Sequence, residues 1–70
     1  MAALQKLAKR IKALRKARGL TAEQLAINSD LSKTALSYIE RCMKEPKLCT
    51  LESIADGLNV TLKELFNFPE

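Results

Sequence analysis

Seventy residues with 12 lysines and arginines, 8 acids, no histidine and 47% hydrophobic side chains are enough for one small core. A chain this short removes little surface from water, so a large catalytic cleft is excluded, and without histidine the commonest general base near neutral pH is missing; no enzyme is expected. No run is apolar enough for a secretory signal or a membrane span, which predicts a cytoplasmic protein whose Cys42 and Cys49 are thiols.

The first predicted helix, about 3–18, is read from Leu4, Leu7, Ile11 and Leu14, whose spacings of three, four and three lie on one face. Gly19 is its expected stop. Residues 1–20 carry Lys6, Lys9, Arg10, Lys12, Arg15, Lys16 and Arg18 and no acid, whereas residues 50–70 carry Glu52, Asp56, Glu64 and Glu70 against Lys63. A basic end suits a polyanion; equally, long basic side chains can simply solvate the outer face of a helix.

One local device then recurs: an apolar residue, a hydroxyl, and an apolar residue four positions past the hydroxyl. The instances are Leu20-Thr21-Leu25, Leu31-Ser32-Leu36, Cys49-Thr50-Ile54 and Val60-Thr61-Leu65. In each, the hydroxyl can accept from a first-turn N–H while the apolar pair staples the chain's entry. Thr21 with Gln24 and Thr61 with Glu64 also fit a capping box. These starts predict helices at about 22–28, 33–42, 51–58 and 62–67, with Pro46 in the one longer connection and Gly57 with Asn59 closing the fourth helix. No strand competes, so the expected fold is all-α, one compact five-helix domain over residues 1–70.

Helices two and three are separated only by Ser29, Asp30 and Leu31, the length of a helix-turn-helix turn. Leu25, Leu31, Leu36 and Ile39 form its inner side, and Ala26 is small where the helices approach. With Leu36 and Ile39 turned inward, helix three presents Lys33, Thr34, Ser37, Tyr38 and Arg41 outward. The segments RIKALRKARGLTAEQLA, LSKTALSYIER and LCTLESIADGLNVTLKELF together resemble the phage repressor and Cro type of helix-turn-helix protein, the XRE-like family, over nearly the whole chain.

That resemblance implies a lambda-repressor-like domain, with a helix-turn-helix over 22–41, whose third helix lies in the major groove of double-stranded DNA. Carried over by position, it implies base contacts from Lys33, Thr34, Ser37 and Tyr38. It implies phosphate contacts from Arg41, Lys44 and Lys47, from Ser32, and from the first-turn N–H groups at Ala22 and Glu23. Arg15 and Glu40 match a family ion pair that holds helix three to helix one. The family commonly has glutamine at the position of Ala22, so that side-chain contact is absent. Asp30 and Cys42 stand where it usually has glycine; Asp30 is expected to adopt the left-handed conformation itself.

Cys49 fills an apolar staple position, so burial is expected. A disulfide, a redox-sensitive thiol and half of a metal site are the alternatives for the C-x6-C pair, although this spacing without histidine is a poor metal signature; no metal and no cofactor are expected. Leu65, Phe66 and Phe68 are candidates for a homodimer interface, with packing on the protomer's own core as the alternative. The expected function is a sequence-specific transcriptional regulator, a repressor or controller acting as a homodimer on an inverted repeat, with no small-molecule ligand domain. The rival is a protein-interaction module, such as an antitoxin or adaptor, that keeps the fold without specific readout.

Overall fold

Three of the four hydroxyl starts cap helices in the computed structural model, which describes residues 2–67. Among the described residues the elements are all helices: α1 (Ala2–Ala17), α2 (Ala22–Asn28), α3 (Lys33–Glu40), α4 (Leu48–Leu58) and α5 (Leu62–Leu65). Thr21 accepts from the Gln24 N–H at 3.1 Å while Gln24 returns to the Thr21 N–H at 2.9 Å. Thr61 and Glu64 repeat this reciprocal box at 3.1 and 3.2 Å. Ser32 accepts from the Ala35 N–H at 3.0 Å.

Helix ends share a second device. Gly19, Asp30, Cys42 and Asn59 have φ of 68°, 56°, 59° and 60°, the left-handed region that closes a helix with a Schellman pair of hydrogen bonds. At Asp30 the pair is Asp30 N–H to Ile27 O, 3.1 Å, and Leu31 N–H to Ala26 O, 2.8 Å. At Cys42 it is Cys42 N–H to Ile39 O, 3.1 Å, and Met43 N–H to Tyr38 O, 2.8 Å. Three of these four stops place a side chain where glycine is unstrained. The stop at Cys42 ends α3 at Glu40, two residues before the predicted boundary.

The start of α4 departs from expectation. Lys47 is its N-cap with no side-chain cap bond, so the helix begins at Leu48 and Thr50 lies inside it. The register that buries Leu51, Ile54, Ala55 and Leu58 sets Cys49 about 200° around the helix from Leu51. Cys49 is therefore exposed, not buried. Gly57 does not close α4, since Asn59 does that alone. It is instead a close-approach point, where an added Cβ would collide with the Ser29 hydroxyl. Helix α5 is shorter than predicted, ending at Leu65 with Phe66 as its cap.

The core gathers one face of every helix: Leu7 and Ile11 of α1, Leu25 and Ala26 of α2, Leu36 and Ile39 of α3, the four α4 residues named above, and Leu65 of α5. Ile11, Leu25, Leu36, Ile54, Leu58 and Leu65 are fully buried, each contributing about 1.5–3 kcal/mol relative to exposure. Helix α2 packs on both α3 and α4, α1 crosses α3 and α5, and α4 meets α5. Helix α3 keeps an open outer face while its inner face packs on α1 and α2.

Candidate nucleic-acid interface

Helix α3 is eight residues long and splits cleanly by burial. Leu36, Ile39 and Glu40 point inward; Lys33, Thr34 and Tyr38 are exposed, and Ser37 is half-buried. Period 3.6 puts positions 33, 34, 37 and 38 on the side opposite 36 and 39, so the predicted base-contact residues do share one face. Ser37 offers less surface than the other three.

Two contacts hold this face in place. Arg15 of α1 grips Glu40 with Nε donating to Oε2 at 2.9 Å and Nη2 to Oε1 at 3.3 Å, while Nη1 donates to Leu20 O at 3.0 Å. Side-chain exposures of 14% and 7% put the pair mostly out of water, where it fixes the far end of α3 to α1 and to the chain entering α2. At the outer face, the Arg41 guanidinium lies 5.7 Å from the Tyr38 ring centroid, within cation–π range. The i, i+3 spacing of Tyr38 and Arg41 was a sequence signal for this contact, and it joins a predicted base-contact residue to a predicted phosphate-contact residue.

The remaining predicted residues are arranged around α3. Lys44 and Lys47 are exposed in the α3–α4 connection, while Ala22 is half-buried against the core and Glu23 exposed in the first turn of α2. The Gln24 N–H of that turn is occupied by Thr21, and the Ser32 hydroxyl by its own cap bond. Leu65 has no exposed surface, so as a dimer contact it is corrected to a residue of the protomer's core, where α5 meets α4 and α1. Phe66 is 41% exposed, and Phe68 lies outside the described residues.

Arg10 was not singled out by its sequence. Its Nε and Nη2 donate to Glu64 O at 3.2 and 3.0 Å, closing the carbonyl end of α5 from a position 54 residues away. No local pattern encodes such a pair. Cys42 is half-buried with Sγ 3.9 Å from Leu4 O, and Cys49 is also a free thiol. Among the described residues no group of three or more His, Cys, Asp or Glu side chains could hold a metal, and no helix is long and apolar enough to cross a membrane.

A helix-turn-helix family model, HTH_3, matches residues 11–65. The immunity repressor protein of Bacillus phage phi105 is 45% identical over 56 residues, covering 80% of this chain and 39% of the repressor, so the chain spans well under half of that relative. The control protein C.MunI of a Mycoplasma species is 41% identical over 59 residues, covering 83% of this chain and 80% of its own length. Among solved structures, the restriction-modification controller protein C.AhdI from Aeromonas hydrophila superposes with a TM-score of 0.89 at 32% identity, covering 93% of this chain and 98% of that one.

Proposed function

The chain belongs to the helix-turn-helix family of XRE type, a family of DNA-binding regulators, and we propose that it binds double-stranded DNA sequence-specifically as a homodimer on an inverted repeat, repressing or controlling transcription. The observation that carries this reading is the outer face of α3: Lys33, Thr34 and Tyr38 exposed together on a helix whose inner face is locked by Leu36, Ile39 and the Arg15–Glu40 pair. Lysine can donate to guanine O6 and N7, and the threonine methyl can meet thymine. Lys44, Lys47 and Arg41 set register on phosphates, and the first turn of α2 at Ala22 and Glu23 adds backbone donors. Doubling across a two-fold axis supplies the base pairs that one short helix cannot read.

Selection of bound sites from random DNA, followed by footprinting, tests the reading by yielding site, symmetry and spacing together. On the selected site Lys33→Ala and Tyr38→Ala are expected to cost about 1–3 kcal/mol and relax specificity, whereas Lys44→Gln or Lys47→Gln lowers affinity for all sequences and reduces the salt slope by about 1 each. Equal binding of selected and random duplex at moderate salt would sink specific readout and favour the interaction-module alternative.

A further inference from the structure

Helix α1 carries Lys6, Lys9 and Lys12 at three-residue intervals, and the structure gives this stripe a second wall. Together with Arg41 at the end of α3 these lysines line a groove that Cys42 also borders. Lys6, Lys9 and Arg41 are exposed, and Lys12 is half-buried. Glu40 also borders the groove, but both of its carboxylate oxygens are engaged by Arg15, so its charge is already matched. Four cations thus line one concave surface without a local counter-charge among the described residues.

We propose that this groove is a second backbone-binding surface, taking phosphates of the same duplex that lie past the C-terminal end of α3. Continuity selects DNA as the occupant: Arg41 is at once a wall of the groove and the ring partner of Tyr38, so the cations begin where the base-facing surface ends. Dimensions agree. A rise of 1.5 Å per residue separates Lys6 from Lys12 by about 9 Å along α1, and the phosphates of one strand advance about 3.4 Å each along the duplex axis, so a stripe running along that axis matches two to three of them. The lysines are single point charges on flexible stems, suited to phosphate and indifferent to sequence.

The proposal rests on the DNA-binding reading and is tested separately from it. The triple variant Lys6→Gln/Lys9→Gln/Lys12→Gln is titrated against a duplex extending about 10 bp, one turn, past the bound core on each side. Loss of two to three phosphate contacts flattens the slope of log K against log salt by about 2–3, which at 0.15 M salt corresponds to roughly 30- to 160-fold weaker binding, with convergence toward wild type near 1 M. Preference among sequences stays as in wild type, and on a duplex trimmed to the core the two proteins have equal slopes. Lys9→Gln flattens the slope by about 0.9 where the single-charge control Lys63→Gln does not. Thermal melting confirms that each variant is folded.

An unchanged slope on the long duplex, or an altered sequence preference, overturns the proposal. So does tighter binding of poly-glutamate than of a duplex of equal charge, which would give the groove to an acidic protein. Because phosphate contact is independent of sequence, the same slopes measured on random duplex decide the matter even where no specific site is selected.

Discussion

Gly57→Ala distinguishes the packing of this fold from its helix propensities, because the two predict opposite signs. Alanine within a helix is favoured over glycine by about 1 kcal/mol, so α4 alone should gain. In the folded protein the new Cβ would stand 3.1 Å from Ser29 N and 3.2 Å from Asn28 C, and would collide with Ser29 Oγ. Ser29 is buried at 2% exposure. Its backbone is tied by Ser29 N–H to Leu25 O at 2.9 Å, so α2 must back away from α4 as a unit. Overpacking of this kind costs about 1–3 kcal/mol. With backbone atoms on two residues in the way, the upper part of that range applies, and a net loss of about 1–2 kcal/mol remains after the propensity gain.

Urea denaturation followed by far-ultraviolet circular dichroism should therefore show a lower midpoint at unchanged slope, and melting should fall by about 4–8 °C per kcal/mol in a domain of this size. Ser29→Ala supplies the internal control. It removes a buried hydroxyl with no hydrogen-bond partner among the described residues, so by itself it is expected to be neutral or stabilising, and in its background Gly57→Ala should cost about 1 kcal/mol less. A Gly57→Ala protein stabilised by the propensity value, or an equal effect in both backgrounds, would refute the reasoning.

Arg15→Met leaves the Glu40 carboxylate buried without its partner and should destabilise by about 3 kcal/mol, whereas Arg15→Met/Glu40→Met recovers much of that loss; simple additivity in chemical denaturation would show that the pair is not coupled. Thr21→Ala and Thr61→Ala should each cost about 1 kcal/mol, measured by the same method, while Thr50→Ala, inside α4, should be close to neutral. Cys42→Gly should raise stability by about 0.5–1 kcal/mol, since relief of left-handed strain exceeds the greater freedom of glycine in the unfolded chain. A loss on Cys42→Gly would mean that the thiol's contact with α1 outweighs the strain.

What residue spacing alone made legible shares one property: it acts over five residues or fewer, whereas the Arg15–Glu40 pair, 25 positions apart, was implied by the family resemblance. The stripe of α1, the capping boxes at Thr21 and Thr61, the cap at Ser32 and the left-handed Asp30 each involve neighbours on a single turn, so residue spacing reports them directly. The outer face of α3 was legible for the same reason, because Leu36 and Ile39 fix its rotation. Thr50 marks where this fails. Its apolar–hydroxyl–apolar signal equals that of Ser32, yet α4 starts a turn earlier at Lys47, and the rotation that buries Leu51, Ile54 and Leu58 sends Cys49 to solvent.

By itself, then, the sequence determined five helices, most of their ends, and which side of α3 faces out, since hydrogen bonds and staples within a turn are set by residues in hand. Only tertiary structure decided that Gly57 is a contact with Ser29 rather than a stop, that Arg10 serves the end of α5, that Leu65 belongs to the core, and that the lysines of α1 meet Arg41 across a groove. Those relations join residues tens of positions apart, and they exist only once burial of the apolar faces has set how α1, α3, α4 and α5 cross.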